Sequence, residues 1–89
     1  MPTEYSINQN YPNPFNPSTE ITFAIPKASH VTLSIVDALG RIQTVLVDGE
    51  KSAGTYTVSW NASNFPSGTY FYKIQSGDYV QTKKMVFMK

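Results

Sequence analysis

The chain has 89 residues, enough for one domain, and it contains no cysteine, so no disulfide bond supplements its hydrophobic core. Its formal net charge of +1 provides neither the basic field that attracts nucleic acid nor an acidic tail. No apolar stretch reaches the roughly 18 residues of a membrane span, and no basic region followed by an apolar run marks a signal peptide. We therefore expect one domain, over residues 1–89, that neither binds nucleic acid nor inserts into a membrane. Because strand-like sequence begins soon after Met1, we expect the domain to be part of a longer chain.

The first distinctive segment, residues 10–20, is rich in proline. Its prolines are Pro12, Pro14 and Pro17. Each proline restricts φ, removes a backbone donor and biases the preceding residue towards extended geometry. We predict a stiff, polyproline-like crossing over residues 10–19 in which Tyr11, Phe15 or both pack on the core of a β domain. The alternative is a proline-rich ligand for another protein, which the Pro-x-x-Pro spacing alone supports only weakly.

Apolar and polar residues then alternate with the period of half-buried strands. The predicted strands cover residues 5–8, 20–25, 31–36, 41–47, 55–60, 69–74 and 79–88. The stretch 41–47 also fits helical spacing, but its β-branched residues and short length favour a strand. Turn signals lie at residues 37–40, 48–49 and 76–78, and a longer polar connection runs from 61 to 68.

Seven short strands without a credible long helix predict an all-β fold, an antiparallel β-sandwich of the immunoglobulin or fibronectin III kind. A small open barrel is the alternative. Trp60 is in phase with Tyr56 and Val58, so we expect it to be buried near them and near Tyr70 and Tyr72. We expect Phe65 to cap one end of the core. In the last strand Met85 and Phe87 are the predicted inward pair.

The sequence contains no recognisable catalytic or metal site. His30 has no cysteine or carboxylate at ligand spacing, and we expect it to be exposed and idle. Asp48 and Glu50 lie two residues apart near a glycine, where turn chemistry is a better explanation than calcium binding. No nucleophile motif or phosphate-binding glycine loop is present. We therefore predict neither an enzyme nor a cofactor-binding protein.

Two surface features remain on the last strands. Phe71 is out of phase with its aromatic neighbours, so its ring is expected on an outer sheet face. Phe71, or Trp60 if it is not buried as expected, is a possible sugar-stacking platform. Lysines gather on or near the last two strands, at Lys73, Lys83, Lys84 and Lys89. They either protect an exposed edge from aggregation or form a basic strip that a partner recognises.

Five segments of the chain carry a family resemblance when they are read in order. They are Asn-Tyr-Pro-Asn-Pro-Phe-Asn-Pro-Ser-Thr (10–19), Asp-Ala-Leu-Gly-Arg (37–41), Ala-Gly-Thr-Tyr (53–56), Ser-Gly-Thr-Tyr-Phe-Tyr (67–72) and Lys-Lys-Met-Val-Phe-Met-Lys (83–89). Together they resemble the type A C-terminal sorting domain of the type IX secretion system, and also the related immunoglobulin-like domain of the flagellar hook-capping protein. The family motif falls on Pro12, Asn13, Pro14, Gly68 and Tyr70. Position 36, commonly aromatic in the family, is Val36.

The resemblance implies a domain at the end of a larger secreted protein of a Gram-negative cell. Such a domain folds in the periplasm, is recognised by the outer-membrane secretion machinery, and is typically cleaved off as its N-terminal cargo is anchored to the cell surface or secreted. We expect a monomer without cofactors. The last strand, residues 79–89, is the natural recognition element, and its proposed recognition residues are Lys83, Lys84, Met85, Phe87 and Lys89. We expect the lysines on one side of this strand and the two apolar side chains on the other. The competing interpretation is an accessory, carbohydrate-binding or spacer module of an extracellular enzyme.

Overall fold

The computed structural model describes residues 2–89, which form a sandwich of two antiparallel sheets. The strands are β1 (Ser6–Ile7), β2 (Ser18–Ile25), β3 (Ser29–Asp37), β4 (Ile42–Lys51), β5 (Gly54–Asn61), β6 (Gly68–Ser76) and β7 (Tyr79–Phe87). One sheet has the order β1-β2-β5 and the other the order β4-β3-β6-β7. The predicted seven-stranded sandwich is confirmed. Over residues 2–89 no helix is long and apolar enough to cross a membrane.

The inner faces of the two sheets follow the predicted alternation. In β2 the side chains of Ile21, Phe23 and Ile25 are fully buried, and Pro26 directly follows the end of the strand. In β3 the same face carries Val31, Leu33 and Ile35, all fully buried. Period-2 alternation places these six side chains between the sheets, where they form the centre of the core.

One predicted turn is wrong. We expected a turn at Asp48-Gly49, but β4 continues through both residues, which pair with Thr32 and Val31 of β3. Pairing along a long neighbouring strand therefore overrides the local turn preference of Asp-Gly. The chain turns instead at Ser52 and Ala53, between β4 and β5. The pairing register of β3 with β4 shifts twice, between residues 33 and 34 and between residues 35 and 36 of β3. Each shift is a β-bulge in β4.

The predicted turn at residues 37–40 is present and is held by one carboxylate. Asp37 accepts hydrogen bonds from the backbone N–H groups of Leu39 and Arg41, both at 2.9 Å, and from Nε of Arg41 at 2.8 Å. The Arg41 backbone bond is the main reason that the pKa of Asp37 lies below its usual value. Gly40 has φ +83°, a conformation that favours glycine. The segment 37–41 is therefore a self-contained turn that joins β3 to β4.

Trp60 is 4% exposed, as predicted, but its neighbours are partly different from those we expected. Its ring lies 5.4 Å from both Phe65 and Tyr70, and 5.7 Å from Phe15, measured between centroids. The contact with Tyr70 was predicted, and Phe65 does cap this end of the core. Phe15 was not expected as a partner of Trp60, because it reaches the indole from the proline-rich segment.

His30 is exposed, as expected, but it is not idle. Its Nε2 lies 2.7 Å from Oδ1 of Asp48, across the β3–β4 ladder. Both side chains are more than half exposed, so solvent screens the pair and its contribution to stability is small. Among residues 2–89 no group of three or more metal-ligating side chains is present.

Candidate functional site

The last strand, β7, lies at an edge of the four-stranded sheet and pairs on one side with β6. Met85 and Phe87 are buried, with exposures of 0% and 1%, which confirms the predicted inward pair. Phe87 stacks on Phe15 at a centroid distance of 5.2 Å. The strand is therefore fixed to the core by its C-terminal half.

The three lysines on and directly after this strand do not share one face, contrary to our expectation. Lys83 is in phase with Met85 and Phe87, pairs in register with Tyr72, and is half-buried. Lys84 is exposed on the outer face, opposite Phe71. Alternate side chains point to opposite faces of a sheet, so neighbouring lysines necessarily diverge. Lys89 follows the strand and is exposed, with Nζ 5.9 Å from the centroid of the Phe87 ring.

On the outer face Phe71 is half-buried between two lysines. Lys84 lies directly across from it, and Lys73 lies two residues further along β6. The aliphatic stems of lysines cover apolar surface while their charges remain in water. Trp60 is inside the core and cannot act as a sugar platform. Of the two candidates, the partly covered ring of Phe71 is the one that remains on the surface.

The proline-rich crossing pairs with the free edge of β7. Phe15 donates from its backbone N to the carbonyl of Val86 at 3.0 Å and accepts from the backbone N of Met88 at 3.0 Å. Oδ1 of Asn13 accepts from the backbone N of Val86 at 3.0 Å. Nε2 of Gln9 donates to the carbonyl of Lys84 at 2.8 Å. The backbone groups that an edge strand usually leaves open are thus paired over residues 84–88.

The same crossing is anchored at its other end to the three-stranded sheet. Tyr11 and Glu20 exchange two backbone hydrogen bonds, at 3.0 and 2.9 Å. The crossing therefore links β2 to β7 and covers one side of the sandwich. It is a series of bends and not the continuous polyproline-like segment that we predicted, because its backbone must pair with two sheets in turn. The peptide bonds before Pro12, Pro14 and Pro17 are cis.

The two rings of the crossing have opposite environments. Phe15 is 2% exposed and lies between Trp60 and Phe87. Tyr11 is 80% exposed. The prediction that at least one ring enters the core is confirmed for Phe15, whereas Tyr11 belongs to the surface.

A buried polar network lies beneath the crossing. The hydroxyl of Tyr72 accepts from the backbone N of Asn10 at 2.8 Å and donates to the carbonyl of Asn8 at 2.7 Å. The side chains of Asn10 and Thr19, both almost fully buried, each donate to the carbonyl of Pro12. Nδ2 of Asn10 also donates to Oγ1 of Thr19. Burial raises the pKa of Tyr72, so the hydroxyl stays protonated and can donate.

Replacing Tyr72 by phenylalanine tests this network. We expect the free energy of unfolding to fall by about 1–3 kcal/mol, because the backbone groups of Asn8 and Asn10 lose a buried partner. Chemical denaturation followed by circular dichroism measures the change. Tyr56→Phe is the matched control, since the Tyr56 hydroxyl bonds to Ser52 at an exposed site. Equal, small losses in the two variants would show that the network contributes little.

Sequence reasoning missed the structural roles of Asn10 and Thr19. Polar residues beside a proline-rich segment are usually exposed, and nothing in their local pattern indicates burial. A usable signal was present nonetheless, because the two residues are the first and last of the family segment 10–19.

Comparison with known proteins identifies the family. A family model for the secretion system C-terminal sorting domain matches residues 9–88. The chain belongs to this family. The match confirms the resemblance noted in the sequence, that of a C-terminal sorting signal of the type IX system, and it includes both the crossing and β7. No curated protein matches the chain.

Among solved structures, the sorting domain is similar to PorZ, an essential surface component of the type IX secretion system of Porphyromonas gingivalis. The TM-score is 0.59 at 19% identity, a level at which the likeness shows a shared fold alone. The similarity covers 96% of the present chain but 11% of PorZ, so the sorting domain corresponds to a small part of that protein.

The remaining motif residues of the sorting domain lie at the start of β6. Gly68 has φ +148°, and a Cβ there would meet no atom within 4 Å. Glycine is therefore favoured at this position by the backbone conformation and not by a lack of space. Tyr70 packs edge-on against Trp60, and its hydroxyl donates to the carbonyl of Pro66. Burial raises the pKa of Tyr70, with a further contribution from the negative charge of Asp37. Both residues therefore lie at the end of the core that is next to the loop 62–67.

Proposed function

We propose that the sorting domain directs a larger cargo protein to the type IX translocon in the outer membrane, and that the machinery binds β7 together with the docked crossing. The family match supports this proposal, because it spans both elements. In this scheme the cargo precedes the domain in the parent chain. The domain passes through the periplasm folded, and the cargo reaches the cell surface or the medium.

The proposed recognition surface consists of exposed groups from both elements. Lys84 and Lys89 supply charge, and Lys83 contributes from a half-buried position beside them. Pro12, Asn13 and Pro14 are exposed on the adjacent crossing. Met85 and Phe87 are too deeply buried to touch a partner, so their part is to hold β7 in place. The single observation that carries the proposal is the hydrogen-bonded docking of the crossing on β7, which joins two separate family motifs in one rigid surface.

The lysines of this surface can be tested without emptying the core. We expect Lys84→Gln with Lys89→Gln to leave stability almost unchanged, because exposed charges contribute within about 0.5 kcal/mol each. The same pair should reduce export of a reporter fused ahead of Tyr5 in a host that has the type IX apparatus. The amount of reporter on the surface and in the medium, relative to the cell, is the measurement. Adding Lys83→Gln completes the test of the three lysines.

The matched control is Lys27→Gln with Lys51→Gln, which removes the same charge away from β7. Export that is equal in all the variants would assign the lysines of β7 to edge protection alone. A loss that is equal in the control would mean that overall charge, and not this surface, is what the machinery senses.

A further inference from the structure

The four sheet edges of the sandwich are protected unequally. β1 has only two residues, and β4 is bulged at two places. The edge of β7 is covered by the proline-rich crossing over residues 84–88 and carries lysines. β5 lies at the end of its sheet, eight residues long, paired with β2 along its whole length without a register shift. An unprotected, regular edge is a template for pairing with another strand.

The hydrogen bonds around β2 identify which backbone groups of β5 are free. Thr22 and Glu20 use their backbone groups to bond to the segment before β2, and Ala62 donates to the carbonyl of Pro17. By the alternation of an antiparallel ladder, odd-numbered residues of β2 therefore bond to even-numbered residues of β5. The free N–H and C=O groups belong to the odd-numbered residues of β5, namely Thr55, Thr57, Ser59 and Asn61. All four side chains are exposed on the outer face.

The chemistry of β5 favours a second copy of itself over a charged partner strand. None of its eight residues carries a charge, so self-pairing brings no like charges together. The small net charge of +1 adds little repulsion between two copies. Val58 of β5 and Leu46 of β4 are only half-buried and pack against the core. A neighbouring strand would shield these apolar groups from water.

We propose that two copies of this domain pair through β5 as an antiparallel, two-fold symmetric dimer with its axis at Val58. In this register Thr57 faces Ser59 of the second copy, and Thr55 faces Asn61 of the second copy. All four free N–H groups of each strand then find a carbonyl, which makes eight hydrogen bonds across the interface. The dimer joins the two three-stranded sheets into one continuous sheet of six strands.

The same register matches side chains on both faces. On the inner face Val58 lies opposite Val58 of the second copy, and β-branched cross-strand pairs of this kind stabilise antiparallel ladders. Tyr56 lies opposite Trp60 of the second copy, whose ring is 4% exposed and adds little to the contact. On the outer face the pairs consist of threonine, serine and asparagine. A one-residue slip would place inner residues opposite outer ones, so the alternation itself selects the register. The proposal is independent of the sorting function and replaces the sequence-based expectation of a monomer.

Sedimentation equilibrium of the 89-residue chain tests the proposal, over concentrations from about 10 μM to about 1 mM, the range of weak and transient association. The average mass should rise towards that of a dimer. Thr57→Lys with Ser59→Lys should raise the dissociation constant at least about tenfold, because lysines on the edge would face each other. Gln75→Lys with Gln81→Lys adds the same charge elsewhere and should leave it unchanged. A monomer throughout the range would overturn the proposal.

Amide hydrogen exchange on the unaltered chain gives a residue-specific result that does not depend on any variant folding. The amides of Thr55, Thr57, Ser59 and Asn61 should exchange freely in dilute solution and become protected as the concentration rises. Protection that rises on β4 or β7 instead would show association through another edge and would overturn the proposal. So would a dimer in which these four amides remain unprotected.

Discussion

Replacing Phe15 by alanine is expected to lower the free energy of unfolding by about 3–5 kcal/mol. The ring is 2% exposed and fills the space between Trp60 and Phe87, which belong to different sheets. Its removal leaves a cavity at the point where the crossing covers the sandwich, and the backbone bonds of residue 15 to β7 hold the chain in place over that cavity. Denaturant unfolding followed by circular dichroism measures the loss.

Tyr11→Ala is the control for this prediction, since it removes an aromatic ring from the same crossing at an exposed site. We expect a change within about 0.5 kcal/mol, as for most surface substitutions. An equally large loss in both variants would show that burial of the Phe15 ring is not what distinguishes the two positions, and would contradict the prediction. If neither variant is destabilised, the crossing is peripheral to the fold, and its interpretation as a ligand for another protein returns.

Trp60→Ala is expected to cost a similar amount, about 3–5 kcal/mol, which is a large part of the stability of a small domain. The indole contacts Phe15, Phe65 and Tyr70, so its loss loosens the crossing, the loop 62–67 and β6 together. In the unaltered chain the tryptophan emission should be blue-shifted and poorly quenched by acrylamide. Free quenching in the native state would place the indole in solvent and reopen the sugar-platform interpretation.

The alternation of residues was sufficient to predict the strands. Ile21, Phe23 and Ile25, or Tyr70, Tyr72 and Ile74, repeat with period 2 between turn residues, and each of these residues is buried. The pattern also identified Met85 and Phe87 as the inward pair of β7. These features are local, because the alternation of residues within one strand is enough to distinguish its buried face from its exposed face.

The errors concern contacts between distant parts of the chain. The Asp48-Gly49 turn was predicted from two residues, but pairing with β3 decided their conformation. Lys83 was assigned to the outer face by its charge, although its phase with Met85 places it on the inner face at an edge. Asn10 donates from its backbone N to the hydroxyl of Tyr72, which lies 62 residues further along the chain, and Thr19 joins this network through Asn10 and Pro12. The periodicity of a segment carries no information about a hydrogen bond between residues so far apart in the chain.

A reporter joined to the N-terminal end of the domain tests whether the domain acts as a sorting signal for type IX secretion. The fusion is expressed in a host with the type IX apparatus and in an otherwise identical host that lacks it. Protease accessibility of the reporter on intact cells, together with its amount in the medium, is the measurement. We expect the reporter outside the cell in the first host and retained in the second. Retention in both hosts, or release from both, would show that the domain is not a type IX sorting signal.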